Sequence, residues 1–209
     1  MPLFFRHQVL FIHIPKCGGD TFSSRLEAAG DPPFLHVPDG SVTVNGHTPQ
    51  HVTWRELQQM GWTTPPGFRV VTLVRHPVDR VVSAYRYAKH FRSELGPYTR
   101  TPGEFLEHFY SSDHDVFRQF DQHNVAMRDF VTDANGKVDP SIEVWHLGQM
   151  DALLKSLGLP PVAAKERKNV SPKSEQFEPL ELWEIRDRVK DDLNWFESLF
   201  PDGPGLPQR

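Results

Sequence analysis

The feature that most constrains this chain is an apolar segment near its amino terminus that stops abruptly at a proline and two glycines. Residues 8–14 read QVLFIHI, a run rich in β-forming residues, and Pro15 ends it. Gly18 and Gly19 follow, and residues 21–29 then carry a helical pattern up to the next glycine. The order strand, glycine turn and helix is typical of the first unit of an α/β fold.

Further along the chain, apolar runs with the length of buried strands alternate with amphipathic segments. Thr53 and Thr101 each open a capping box, and Asp20 or Thr21 is the expected cap of the first helix. This alternation predicts an α/β fold, a P-loop-NTPase-like parallel sheet flanked by helices on both faces. The predicted strands are 8–14, 68–74 and 142–147, and the predicted helices are 21–29, 53–60, 77–85, 101–110, 113–130, 149–157 and 180–199.

The length of 209 residues suits one domain with a substantial core. No internal repeat or linker interrupts the alternation of elements, so we expect residues 1–200 to form a single α/β domain. Residues 201–209, PDGPGLPQR, have the composition of a disordered tail.

Charge and cysteine content limit the functional classes. The chain has 23 Lys+Arg against 27 Asp+Glu, a formal net charge of -4, which argues against a general nucleic-acid binder. Cys17 is the only cysteine, so no disulfide forms within the chain, and a reducing compartment fits. Because no apolar run reaches the length of a membrane span and no signal-peptide pattern is present, we expect a soluble, cytoplasmic protein. The sequence predicts no oligomeric state.

Residues 15–21, PKCGGDT, have the features of a phosphate cradle. They lie between a predicted strand and a helix, so the glycines allow backbone N–H groups and the helix N-terminus to approach an anion. Lys16 adds a mobile cation. The GxxxxGK[ST] spacing of a Walker A motif is absent, because the lysine precedes the glycines. An ordinary strand-turn-helix with a surface lysine explains the segment equally well when it is taken alone.

A second candidate group follows the second predicted strand. Arg75 lies at the end of that strand, and Ser83 lies two turns into the next helix. An arginine fork and a hydroxyl at these positions would bind a phosphate. The alternative is that Arg75 pairs with Asp79 and that Ser83 is a small packing residue.

Together, the segments HIPKCGGDTF at 13–22 and VRHPVDRVVSAYRY at 74–87 resemble the sulfotransferases that use 3′-phosphoadenosine 5′-phosphosulfate (PAPS). The resemblance is closest to the group that includes heparan sulfate 2-O-sulfotransferase and related carbohydrate sulfotransferases. It is sharp over residues 9–26 and 70–87 and faint elsewhere. It implies PAPS as donor, the desulfonated nucleotide PAP as product, and a carbohydrate or small molecule with a free hydroxyl as acceptor.

The resemblance also implies roles for individual residues. Arg75 and Ser83 would bind the 3′-phosphate of PAPS, and a basic loop with Arg167 and Lys168 would close over the nucleotide. Asp20 departs from the family, which usually has Thr or Ser there, and a carboxylate beside a phosphosulfate is repulsive unless it points away. The 5′-phosphosulfate would be bound by Lys16, Cys17, Gly18, Gly19, Asp20 and Thr21.

Sulfuryl transfer needs a base for the acceptor hydroxyl and a positive charge near the leaving oxygen. Lys16 is the candidate for the charge. Related enzymes have a catalytic histidine just before a short helix, a position that His51 matches and that His47 approaches, so either is the candidate base. These histidines are spaced i, i+4, but Pro49 disfavours a helix and no HExxH glutamate is present, so we expect no metal.

Other interpretations stay open on the sequence alone. Cys17 would be a nucleophile if the helix N-terminus and Lys16 lowered its pKa, but a packing role in the loop is favoured. The basic loop at 165–168 is explained equally well as a solvated segment. Aromatic residues such as Tyr87 belong either to an acceptor site or to the core. The alternatives to a sulfotransferase are a nucleotide-dependent small-molecule kinase and a non-catalytic nucleotide-binding relative.

Overall fold

The computed structural model describes residues 1–37, 42–111, 121–161, 177–201 and 203, without the side chains of 93 and 94. Within these ranges, a four-stranded sheet has the order β1-β2-β3-β4. Its strands are β1 (Leu3–Phe4), β2 (Val9–Ile12), β3 (Arg69–Val74) and β4 (Ile142–His146).

The pairing confirms the predicted α/β class. β2 pairs with β3 in parallel, and β3 pairs with β4 in parallel, so the carboxyl ends of all three strands lie at one edge of the sheet. The sheet is mixed rather than wholly parallel because β1 pairs with β2 antiparallel. β1 was not predicted, since two residues are too short to show a strand period.

Seven α-helices are described in these ranges, and the capping boxes predicted at Thr53 and Thr101 are both present. The helices are α1 (Gly19–Ala28), α2 (Trp54–Gln59), α3 (Pro77–Phe91), α4 (Pro102–Phe109), α5 (Met150–Ser156), α6 (Pro179–Arg188) and α7 (Lys190–Leu199).

Two predictions about helix ends were wrong. The N-cap of α1 is Gly18, not Asp20 or Thr21, because Gly18 takes the left-handed conformation with φ 88 and the helix begins directly after it. The single helix predicted over 180–199 is two helices. The helical path is interrupted at Val189, where φ is -104 and ψ is 18.

The helix predicted over 113–130 was also wrong in its described part. Residues 121–127 form turns, and a short 3-10 helix follows at Arg128–Val131. Asp121 and Gln122 have positive φ values of 45 and 65, which are incompatible with a right-handed helix. Residues 113–120 of that prediction lie outside the described residues, as does most of the predicted tail at 201–209.

Among the described residues, two apolar clusters form the core. One packs around the sheet and includes Phe4, Phe11 and Phe22. The other lies among α3, α4 and α6 and includes Tyr85 and Phe105, whose rings are 5.3 Å apart. α3 contributes to the second cluster and directly follows β3, so it connects the sheet edge to this second part of the core.

Candidate active site

The loop between β2 and α1 presents unpaired backbone donors. Lys16 and Gly18 both have left-handed backbone conformations, with φ 66 and 88. In the described part of the chain, the backbone N–H groups of Lys16, Gly18 and Gly19 donate no hydrogen bond. Free N–H groups at the start of a helix are suited to an anion, because the helix dipole adds to their partial positive charge.

Both glycines of the loop lie close to neighbouring side chains. A Cβ at Gly19 would come within 2.2 Å of the His13 ring, and a Cβ at Gly18 would come within 2.5 Å of Leu147 Cδ1. Real Cβ atoms do not approach so closely, so a Cβ at Gly19 would displace the His13 ring or the loop. At Gly18 the flexible end of Leu147 could shift, and the left-handed φ of 88 is what favours glycine.

Lys16 is half-buried and lies against an aromatic ring. Its Nζ atom is 3.6 Å from the centre of the Tyr87 ring, a cation–π contact. Burial lowers the pKa of Lys16 to about 8; the charge of Asp20 raises it and that of Arg75 lowers it further. The carboxylate of Asp20 lies 3.9 Å from His13 Nε2 with its side chain 42% exposed, and it does not cap α1.

Cys17 points into the core rather than toward the loop's open side. Its side chain is buried, and Sγ lies 3.7 Å from Met127 Sδ. Burial raises the pKa of the thiol to about 11, against the opposing effect of the arginines at 75 and 80. A buried neutral thiol is a poor nucleophile, so these contacts favour the packing role.

Arg75 and Ser83 lie just after β3 and in the second turn of α3. Among the described residues, neither side chain forms a hydrogen bond or an ion pair, and the alternative pair of Arg75 with Asp79 is not formed. The charge of Arg75 contributes to lowering the pKa of both Lys16 and His146, which places it beside the ends of β2 and β4. Both side chains are therefore available to a ligand at the edge of the sheet.

Arg80, in the same helix, has a role that the sequence did not predict. Its guanidinium is buried and donates three hydrogen bonds to backbone carbonyls: to Pro15 at 3.0 Å, to His123 at 2.9 Å and to Val125 at 2.7 Å. Arg80 thereby joins the β2–α1 loop to the turn at 121–125.

His51 is oriented by a carboxylate that comes from that turn. Its Nδ1 atom lies 2.8 Å from Asp121 Oδ2, and within the described ranges its Nε2 atom has no hydrogen-bond partner. The His51 ring packs 5.1 Å from the His13 ring and 5.6 Å from the His123 ring. His123 in turn stacks on Tyr87, the same ring that contacts Lys16.

His47 belongs to a different set of contacts. Gln122 Nε2 lies 2.9 Å from each ring nitrogen, and Glu56 of α2 lies 3.5 Å from His47 Nε2. Burial raises the pKa of Glu56, but hydrogen bonds from His47, Thr53 and Asn45 outweigh it and lower the value to about 2. Of the two candidate bases, His51 is the one that ring contacts connect to Lys16, through His123 and Tyr87.

Several features of the site gave no signal in the sequence. Asp121 and His123 belong to no motif of the sequence, and Arg80 lies within the segment 74–87 without any predicted role, because all three meet the loop only through tertiary contacts. Arg167 and Lys168 lie outside the described residues. Across the described ranges, no three histidine, cysteine or acidic side chains gather as metal ligands would, and none of the helices combines the length and apolar character that a bilayer crossing requires.

Comparison with known proteins adds one finding. A family model described as "Sulfotransferase family" matches residues 4–171, which is most of the chain and includes both the β2–α1 loop and α3. No curated protein matches the sequence.

Proposed function

The chain belongs to the sulfotransferase family, whose members transfer sulfuryl groups, and on this premise we propose that it uses PAPS as donor and His51 as general base toward an acceptor hydroxyl. The observation that carries the proposal is the chain of rings from Lys16 through Tyr87 and His123 to His51. It brings a cation at the anion-binding loop and an oriented imidazole into one neighbourhood.

The loop and the start of α3 provide the donor contacts in this proposal. The free N–H groups of Lys16, Gly18 and Gly19 bind the 5′-phosphosulfate, since they carry the partial charge of a helix N-terminus. Arg75 and Ser83, whose side chains have no partner in the described part of the chain, bind the 3′-phosphate. Cys17 contributes no donor, because its thiol is buried and its backbone N–H donates to the carbonyl of Ile14.

The transfer follows an in-line displacement. The acceptor oxygen forms a bond to sulfur while the bond from sulfur to the bridging oxygen of the donor breaks, and the bridging oxygen keeps the electron pair. His51 Nε2 takes the acceptor proton, since Nδ1 faces Asp121. The ammonium of Lys16 stabilises the charge that develops on the bridging oxygen.

Asp20 is compatible with this arrangement. Its side chain is partly exposed and lies near His13, while the charge of Lys16 offsets its negative charge. We propose that Asp20 keeps Lys16 protonated rather than contacting the phosphosulfate, since the Asp20 carboxylate raises the pKa of Lys16.

The acceptor and the cellular setting complete the proposal. We propose a carbohydrate or small-molecule hydroxyl as acceptor, because a histidine base activates a hydroxyl near neutral pH without further chemistry. Residues 1–200 would act as one domain in the cytoplasm.

The test is a thermal-shift measurement with PAP, compared with ATP in the presence and absence of Mg²⁺. PAP alone should raise the Tm, because a ligand that binds only the folded state stabilises it by mass action. The shift should be lost in Arg75→Ala and retained in Arg188→Ala, which removes an arginine that pairs with Glu184 within α6.

Each outcome decides the proposal. Stabilisation by ATP with Mg²⁺ but not by PAP would replace it with a kinase, and stabilisation by PAP without transfer across a broad panel of hydroxyl acceptors would indicate a non-catalytic relative. Loss of transfer in His51→Ala but not in His47→Ala identifies the base, and the reverse result would contradict the assignment of His51.

A further inference from the structure

We propose that Asp121 is a positioning residue that fixes the orientation and the tautomer of His51, an inference that rests on the proposed role of His51 as base. The residue lies in the turn after the undescribed segment 112–120, 70 residues from His51 in sequence. No motif of the sequence points to it, and only the fold brings it to the imidazole.

In the described ranges, the side-chain hydrogen bonds of Asp121 all go to the segment that carries His51. Its Oδ2 atom lies 2.8 Å from His51 Nδ1, and the same oxygen accepts a hydrogen bond from Thr48 Oγ1 at 2.9 Å. Its Oδ1 atom accepts from the backbone N–H of Thr48 at 2.8 Å. One carboxylate therefore holds both the imidazole and the start of the 3-10 helix Pro49–His51.

These contacts determine the tautomer. An ionised carboxylate only accepts hydrogen bonds, so the short contact requires a proton on His51 Nδ1. The lone pair of the neutral ring is then on Nε2, the nitrogen without a partner in the described ranges, where a base for the acceptor must have it.

The carboxylate remains ionised at neutral pH. Burial raises the pKa of Asp121, but the hydrogen bond and the charge of His51, with the backbone N–H of Thr48, hold it well below its usual range. Around the same imidazole, burial lowers the pKa of His13 and His123, so these rings are neutral. Among the described residues, Asp121 is therefore the negative charge in direct contact with the His51 ring.

The backbone of the turn supports a role beyond packing. Asp121 and Gln122 are consecutive non-glycine residues with φ 45 and 65, a conformation that costs free energy and persists only where the surroundings enforce it. Arg80 enforces it from α3 by its hydrogen bonds to the carbonyls of His123 and Val125. Strained turns of this kind concentrate where a side chain must be held in one place.

The decisive variant is Asp121→Asn, which keeps the size of the side chain and removes its charge. We expect kcat to fall by about 10²- to 10⁴-fold, the contribution of a correctly oriented general base, while the PAP-induced thermal shift stays as in the wild type. The matched control is Asp31→Asn, because Asp31 Oδ2 also lies 2.9 Å from a histidine, His7 Nδ1, but at the opposite end of β2. Its kcat should stay within about threefold of the wild type, since exchanges away from the site act mainly on stability.

A second measurement does not depend on how the variant folds. Long-range ¹H–¹⁵N NMR of histidine-labelled wild-type protein, with the His51 signals assigned through His51→Gln, reports which ring nitrogen carries the proton. A proton on Nδ1 supports the proposal. A proton on Nε2 overturns it, as does an Asp121→Asn variant that keeps wild-type kcat. Absence of a PAP shift in the wild type would contradict the proposed function instead, and the tautomer would still decide the role of Asp121.

Discussion

The ammonium of Lys16 lies 3.6 Å from the centre of the Tyr87 ring, and His123 stacks on the same ring at 5.6 Å with an interplanar angle of 9°. His123 then meets His51 edge-on at 5.6 Å. Tyr87 belongs to α3, so one helix connects the loop that carries the cation with the turn that orients the imidazole. The distance between the two candidate catalytic groups therefore depends on the position of α3.

The first prediction concerns the charge of Lys16. Because burial lowers its pKa to about 8, PAP affinity should fall as the pH rises through about 8 and the ammonium loses its proton. Arginine keeps its charge throughout this range, so the affinity of Lys16→Arg for PAP should be nearly independent of pH between about 7 and 9. Calorimetric titration across this range measures both. If the PAP affinity of the wild type and of Lys16→Arg changed with pH in the same way, Lys16 would not be the group that titrates.

The second prediction concerns the close contact between Gly19 and His13. The added Cβ of Gly19→Ala would come within 2.2 Å of the ring, so either the loop or the ring must move. We expect a loss of about 1–3 kcal/mol in the free energy of unfolding, as for other overpacked sites, together with a reduced PAP shift. Gly96→Ala is the control, because a Cβ added there would have no neighbouring atom within 4 Å. Urea denaturation measures the first effect, and an unchanged midpoint would show that the contact is not rigid.

Much of the fold was predictable because its signals are local. Each of these signals lies within a few residues: the apolar runs of β2 and β3, the glycine between β2 and α1, and the capping boxes at Thr53 and Thr101. The β2–α1 loop and the start of α3 could be predicted as donor-binding segments for the same reason, since each directly follows a strand end.

The remainder depends on contacts between distant segments. Asp121 was predicted to lie in a helical segment, yet it has a positive φ and reaches His51 across 70 residues. Arg80 is one of several charged residues on α3, although its guanidinium is buried among three carbonyls from two other segments. Periodicity does not distinguish a buried structural arginine from an exposed one, so neither role was visible before the fold was known.

The third prediction concerns Arg80. In Arg80→Lys a single ammonium replaces the planar guanidinium, whose nitrogens donate to three carbonyls in fixed directions. At least one carbonyl therefore loses its hydrogen-bond partner. We expect the free energy of unfolding to fall by about 2–3 kcal/mol, because hydrogen bonds to charged groups contribute roughly 1.5–3 kcal/mol each. Transfer should fall as well, since the loop and the turn are no longer held together.

The control for Arg80 is Arg55→Lys. Arg55 also donates to a backbone carbonyl, that of Asp133, and to Thr132 Oγ1, but it lies in α2 away from the loop. Its substitution should lower stability without changing kcat. Urea denaturation and initial rates of transfer measure the two effects. Equal effects of both substitutions on kcat would show that Arg80 acts through general stability alone.

The last prediction concerns the buried histidines and stability at mildly acidic pH. Burial lowers the pKa of His13 to about 3; the charge of Asp20 opposes this shift and that of His51 adds to it. The ordinary value of 6.5 applies to the unfolded chain. Below about pH 6.5 the unfolded state therefore binds a proton that the folded state does not, and the free energy of unfolding falls as the pH falls. The stabilisation is complete above pH 6.5 and is lost progressively toward pH 3.

His13→Phe isolates this contribution, because it keeps a planar ring against Gly19 and removes the titration. Urea denaturation between about pH 5.5 and 7.5 gives the change in the free energy of unfolding with pH. This change should be steeper in the wild type than in the variant by up to about 1.4 kcal/mol per pH unit, the value for uptake of one proton. The difference between the two curves cancels the groups that titrate alike in both proteins, and His90→Phe, at an exposed position of α3, controls for the exchange itself. Parallel curves for wild type and His13→Phe would mean that burial does not lower the pKa of His13, so the ring beside His51 would become cationic below about pH 6.5.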